Sequence, residues 1–141
     1  MRINELLSED DDYRIAHRAP THDSGSPLHD LSATYPDDIY GPKAAEYYGH
    51  YGGGNMQDRK AISIIQSRKN KPSQGTQIFR AVSADVKSNK INPGDWVTIN
   101  RDYAVEHGHG LGKYKILSKI VSAKHLYTNG DSIQEWGYDP T

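Results

Sequence analysis

At 141 residues, 35% of them hydrophobic and with a mean hydropathy of -0.83, the chain has room for one domain and a polar tail. No apolar run approaches the ~18 residues of a membrane span, the opening Met1-Arg2-Ile3-Asn4-Glu5-Leu6-Leu7 is too short and polar for a secretory signal, and the absence of cysteine excludes a disulfide framework or a thiolate metal site. The net charge of -1 hides an asymmetry: residues 1–58 carry four Lys and Arg against eleven Asp and Glu, a net -7, whereas residues 59–141 carry thirteen against seven, a net +6. Such a chain is either an acidic solvated leader ahead of an ordinary domain or a domain with a basic face for a dinucleotide, an acidic target or a nucleic acid.

In chain order, residues 3–9 can form an amphipathic turn or two, which Glu9-Asp10-Asp11-Asp12 breaks. Residues 17–38, with Pro20, Gly25, Pro27 and Pro36 among Ser, His and Asp, read as a loop or disordered linker, so order is expected from Asp38. A short helix over 42–51 would place Ala44, Ala45, Tyr47 and Tyr48 inward and end at Gly52-Gly53-Gly54. Residues 56–69, with Ile62, Ile64 and Ile65, predict an amphipathic helix, followed by a connector over 70–75. Strands are expected over 76–82 and 95–99, separated by a turn at Asn92-Pro93-Gly94-Asp95. Asn100 can cap a helix over 101–107 that Gly108 would stop, leaving 108–112 as a loop. Strands over 113–121 and 124–127, a turn at 128–131 and a last strand near 133–138 complete an α+β pattern.

Three of these strands carry one polar residue each among apolar neighbours: Ile78-Phe79-Arg80-Ala81-Val82, Trp96-Val97-Thr98-Ile99 and Ile133-Gln134-Glu135-Trp136. Burying a charge without a partner costs several kcal/mol, so an arginine and a carboxylate in such settings call for a use. A guanidinium at Arg80 can bind a phosphate or ribose hydroxyl through two parallel bonds. A hydroxyl at Thr98 can hold a neighbouring group in register, and a carboxylate at Glu135 can accept from a sugar hydroxyl and stabilise developing positive charge. Taken singly, each also has a plain structural reading: a solvent-facing Arg80 or Glu135, and Thr98 as a common strand residue. Trp96 and Trp136 read as packing residues, and His107 and His109 as loop residues without a third metal ligand.

The order Arg, Ser/Thr, Glu and the strings around it resemble an ADP-ribosyltransferase family found in tailed phages and their polyvalent proteins. The resemblance runs from a tyrosine-rich entry (Ile39-Tyr40-Gly41 to Tyr47-Tyr48-Gly49) through Ile64-Ile65-Gln66-Ser67-Arg68 and Phe79-Arg80-Ala81-Val82. It continues through Ile91-Asn92-Pro93-Gly94-Asp95-Trp96-Val97-Thr98, then Arg101-Asp102-Tyr103-Ala104, and closes at Gly130-Asp131-Ser132-Ile133-Gln134-Glu135-Trp136-Gly137-Tyr138. It implies an ADP-ribosyltransferase-like split β-sandwich over residues 38–141, with N-terminal helices and a disordered leader over 1–37. It implies NAD as substrate without a metal, Glu135, Arg80 and Thr98 as catalytic residues, and Arg80, Ala81, Thr98 and Tyr103 as NAD contacts, with Tyr103 stacked on nicotinamide. Two positions depart from the family's familiar pattern: the second motif is Val97-Thr98-Ile99 rather than Ser-Thr-Ser, and Ile133 stands two residues before the glutamate, where arginine-modifying members carry Glu or Gln. Gln134, one residue closer, is expected to point to the other strand face. The acceptor is therefore open.

The implied activity is mono-ADP-ribosyl transfer to a host macromolecule, by a phage effector or anti-defence protein acting in the host cytoplasm. Its partners would be NAD and a bacterial host or defence protein, or a nucleic acid, with a monomer as the default. The alternatives are a non-catalytic inhibitor of the same fold and an NAD glycohydrolase. Residues 1–9, ending Leu7-Ser8-Glu9, also resemble the short tags with which phages package internal head proteins and which a prohead protease removes. On that reading the protein is carried in the virion head and injected; otherwise the leader stays unprocessed.

Overall fold

The computed structural model describes residues 18–141. The packaging-tag reading of residues 1–9 lies outside the described residues.

Three α-helices and two antiparallel sheets give an α+β architecture without a barrel among the described residues. A 3₁₀ turn at Asp37–Tyr40 leads into helix α1 (Ala44–Tyr48). Helix α2 (Met56–Ser67) starts where the Asn55 side chain accepts from the Gln57 N–H at 2.8 Å. Its buried face is Asp58, Ala61, Ile62 and Ile65, the i, i+3, i+4, i+7 stripe of a helix lying on a core. Helix α3 (Arg101–His109) is capped in the same way by Asn100, which accepts from the Asp102 N–H at 3.1 Å. It runs through Gly108, so His107 and His109 stand on its last turn rather than in a loop, with the His109 ring edge-on to Tyr114 at 5.7 Å.

The two long strands, β2 (Gly75–Ser83) and β4 (Tyr114–Ser122), pair along their whole length, from Gly75 opposite Ser122 to Ser83 opposite Tyr114. The second sheet is built from short strands in the order β1 (Ser26–Pro27), β5 (Leu126–Thr128), β6 (Trp136–Tyr138), β3 (Trp96–Val97). One residue pair joins the sheets: Phe79 of β2 and Thr98, just beyond β3, exchange both N–H···O bonds at 2.8 and 2.9 Å. The core beneath includes Leu28, Leu31, Ile39, Ile65, Ile78, Ile99, Leu126 and Ile133. Trp136 is fully buried in it, with its indole N–H donated to the Ile133 carbonyl at 2.8 Å. Tyr47 is 59% exposed, so α1 turns Ala44 rather than Tyr47 inward.

The expected start of order at Asp38 is too late. Residues 18–37 are mostly turns, as their Pro, Ser and Asp content predicts, yet they belong to the fold. Leu28 and Leu31 are fully buried, and Ser26–Pro27 pairs with Tyr127 and Thr128. Upstream, Pro20 lies on β6, where a Cβ at Gly137 would come within 2.0 Å of the Pro20 carbonyl oxygen. Asp139 then clasps His22, accepting from its backbone N–H at 2.9 Å and bonding its ring Nδ1 at 2.8 Å.

This clasp is pH-sensitive. The hydrogen bond to Asp139, with the charge of Asp23, holds His22 above its ordinary pKa. The Thr141 hydroxyl, followed by the backbone and ring of His22, holds Asp139 well below the usual carboxylate range. The carboxylate's contribution is present above its unfolded pKa of about 4 and is lost as pH falls through the depressed folded value. The imidazolium's contribution is complete below about 6.5 and is lost as pH rises through the raised folded value. Thermal melts should therefore show the stability gap between the parent and His22→Gln widest between about pH 4 and 6.5 and shrinking above it. Gly137→Ala should lower stability by about 1–3 kcal/mol in urea unfolding through overpacking against Pro20, and should speed tryptic cleavage near Arg18.

Candidate active site

Glu135 sits at the last residue of a turn that feeds β6. The Ser132 hydroxyl shapes that turn by accepting from the Gln134 N–H at 3.0 Å. Val97 pairs with Trp136 across β3 and β6, and Thr98 and Glu135 each lie one residue beyond the same end of that ladder. Thr98 is buried, and its hydroxyl accepts from the Asn100 N–H at 3.2 Å. Tyr103, on the first turn of α3, donates its hydroxyl to Glu135 Oε2. Burial, and then this bond, hold the Tyr103 phenol far above its usual range, so it remains a donor at any physiological pH.

Aromatic rings gather around this pair. The His50 ring stands edge-on to Tyr103 at 5.2 Å and to Tyr51 at 5.0 Å, and Tyr51 lies 6.4 Å from Tyr103. His50 Nδ1 is 3.1 Å from the Ser132 hydroxyl, which ties the ring to the turn that carries Glu135. The Tyr51 hydroxyl donates to Glu106 at 3.0 Å, and burial together with this bond pushes its pKa up to about 12.

Beneath the rings lies Asp58, which has no exposed surface. Its carboxylate accepts the backbone N–H groups of His50 (2.9 Å), Tyr51 (2.9 Å) and Gly52 (3.2 Å) and the side-chain amide of Gln134 (3.2 Å). The same Gln134 Nε2 donates to the Gln57 carbonyl at 3.1 Å, and Asn100 Nδ2 reaches that carbonyl at 3.2 Å. Proximity to a carboxylate and a carbonyl fixes which end of the Gln134 amide faces α2, since an oxygen there would meet two acceptors. The chain can pass this close only because residue 49 is glycine: a Cβ there would come within 2.3 Å of Asp58 Oδ2.

Of the predicted site residues, Tyr103 and Glu135 are joined by a hydrogen bond, and Thr98 lies at the same end of the β3–β6 ladder as Glu135. Arg80 stands on β2 beside the Phe79–Thr98 bridge, but its guanidinium turns to the start of β3. Nη1 donates to the Trp96 carbonyl at 2.8 Å, and Nε lies 3.9 Å from Asp95. Ala81 is half-buried on the same strand, opposite Ile116. Tyr103 holds Glu135 through its hydroxyl while its ring packs on His50, a positioning contact rather than an open stacking platform. Ile133 is fully buried in the core, and Gln134 faces α2, so neither supplies a second polar group beside Glu135. Sequence reasoning did not find His50, Tyr51, Ser132 or Asp58. Only Asp58 carried a signal: a carboxylate on the apolar stripe of an amphipathic helix.

Comparison with protein-family models, with curated proteins and with solved structures returns no match to this chain.

Asp58→Ala would take the acceptor from three partly buried backbone N–H groups, while the Gln134 amide keeps the Gln57 carbonyl, at about 1–3 kcal/mol for each donor left unpaired. Urea unfolding should show a loss of at least about 3 kcal/mol. Asp58→Asn, which keeps one acceptor oxygen, should lose less.

Proposed function

We propose that the protein is a mono-ADP-ribosyltransferase that moves ADP-ribose from NAD to a host macromolecule. The observation that carries this reading is the Glu135–Tyr103 pair, held where β6 begins, at the same end of the β3–β6 ladder as Thr98, which forms the bridge that joins the two sheets among the described residues. Two antiparallel sheets that meet at the Phe79–Thr98 bridge, with Arg80 beside it on β2 and Glu135 just before β6, support an ADP-ribosyltransferase-like split β-sandwich as the finer fold assignment.

In this mechanism Tyr103 occupies one oxygen of Glu135 and fixes the carboxylate plane, so the other oxygen can accept from the 2′-hydroxyl of the nicotinamide ribose. The bond between C1 of that ribose and the nicotinamide nitrogen breaks, and its electron pair leaves with neutral nicotinamide. The negative charge of Glu135 stabilises the oxocarbenium-like centre left behind. An acceptor nucleophile then bonds to C1 and loses its proton to solvent. Arg80 spends one of its five N–H donors on the Trp96 carbonyl, which orients the guanidinium and leaves others for a phosphate of NAD. Thr98, locked by the Asn100 N–H, keeps β3 in register with Glu135.

On this reading the protein is a phage effector or anti-defence factor acting on a bacterial protein, or on nucleic acid, in the host cytoplasm. Incubation with labelled NAD and bacterial lysate should label a discrete acceptor. Glu135→Gln keeps the shape and removes the charge, and should cut the rate by roughly 10²–10³. Equal labelling by that variant would sink the proposal. Nicotinamide release without a labelled acceptor would indicate a glycohydrolase. Neither product, with a bacterial protein still held, would indicate a non-catalytic inhibitor.

A further inference from the structure

A groove of about 600 Å³ runs between α2 and the edge formed by β2 and the start of α3. Four cations line it: Arg59 and Lys60 on α2, Arg68 just past its end, and Arg101 opposite. No Asp or Glu lines it. The nearest acid described by an ion pair is Asp102, 2.5 Å from Lys60, with both side chains nearly half exposed. A pair this exposed is weak and screened by salt, so Lys60 can exchange it for a phosphate. Arg68 is fixed in place: Nε donates to the Thr76 hydroxyl at 2.9 Å, Nη2 to the Gly75 carbonyl at 2.9 Å and Nη1 to the Ser67 hydroxyl at 2.7 Å. Arg101 opens α3, where the positive end of the helix dipole adds to its charge.

We propose that this groove binds single-stranded nucleic acid. From Lys60 to Arg68 the helix rises roughly 12 Å at 1.5 Å per residue, so the cations form a row rather than a point. A row matches successive phosphates better than a lone anion. Between the cations the floor carries apolar groups: Phe79 is half-buried, Ile64 and Ile99 stand beside it in the lining, and Met56 is 65% exposed. Flat bases cover such a floor while the backbone tracks the charges, which is how single strands are held without sequence readout. An acidic peptide would satisfy the cations and leave Phe79 and Met56 uncovered. A duplex presents its bases stacked inward, away from a floor of this kind.

This site goes beyond the transferase reading and does not depend on it, because Glu135, Tyr103 and Arg80 are not among its walls. The test is fluorescence anisotropy of the full chain, without NAD, using a labelled single strand of roughly eight nucleotides. Binding is expected, weakening with salt at about 0.7 in log K per phosphate contacted, for a total slope near 2–3 between ~50 and ~200 mM. Arg59→Glu and Arg101→Glu, both at exposed positions, should each weaken binding by roughly tenfold or more as a phosphate contact turns repulsive. Met56→Ser should weaken it less and leave the salt slope unchanged, since it removes packing but no charge. Circular dichroism of each variant checks that the fold is intact. No binding at the lowest salt, charge-reversed variants that bind like the parent, or a poly-glutamate peptide binding more tightly than the oligonucleotide would each overturn the proposal. Glu135→Gln should bind the strand as the parent does, so loss of transfer and loss of strand binding are separable results.

Discussion

The buried carboxylate of Asp58 is the constraint on which the rest of the site depends. A carboxylate without solvent is tolerable only when its oxygens are met by donors, and here four N–H groups meet them. Those donors come from two distant places, the chain after α1 and the turn before β6. One side chain of α2 therefore decides where His50 and Tyr51 stand and where the turn bearing Glu135 begins. Charge-assisted bonds of this kind exceed ordinary backbone bonds in strength, and each is directional. The aromatic rings above Asp58 inherit their positions from it: His50 can lie against Tyr103 because its own N–H is fixed beneath.

A second constraint is the thinness of the junction between the sheets. The long β2–β4 ribbon and the four short strands meet through the single Phe79–Thr98 pair. The residues of the proposed site lie near that pair: Arg80 is one residue past Phe79, and Glu135 is at the same end of the β3–β6 ladder as Thr98. A wider junction would close the sheets into a continuous surface and leave no edge where a ligand could reach both strands. The Arg80 contact with the Trp96 carbonyl spans the same gap from the other side, so the arginine serves the fold as well as any ligand. A group with both duties is held in position before a ligand arrives, and less ordering entropy is then lost on binding.

Much of this was legible in the sequence where a local rule governs. Asn100 caps the helix it precedes, the Asn92–Asp95 turn is where composition puts it, and the strand carrying Arg80 lies near its expected bounds, whereas the strand expected over 95–99 shortens to Trp96–Val97. What escaped depends on contacts between residues far apart in the chain. Residues 18–37 look like a linker because their composition is that of turns, and they are turns. Their membership of the fold rests on Leu28 and Leu31, on the missing side chain of Gly137 and on Asp139, none of which a local window can connect. Glu135 was placed within a strand and instead ends a turn, because the Ser132 hydroxyl takes the Gln134 N–H that a strand would have spent on its neighbour. His50 and Tyr51 looked like the polar end of a short helix; their value comes from Asp58 and Tyr103, eight and more than fifty residues away.

The linear division of charge takes on a spatial meaning in the fold. Several acids of the first half are consumed locally: Asp30 accepts from Ser32, Asp38 from the Tyr48 hydroxyl, and Asp58 from the chain that packs on it. The cations of the second half are treated differently, with Arg59, Lys60, Arg68 and Arg101 brought to one groove from two helices. Like charges gathered so closely repel one another, and a fold selected for stability alone would have dispersed them. Their cost falls when an anion enters, so the groove and the glutamate site place opposite demands on a ligand. The groove favours negative charge along its length, and Glu135 favours a positive centre at one atom. On the proposed readings the two sites therefore select different features, an anionic backbone in the groove and a sugar that becomes cationic at Glu135.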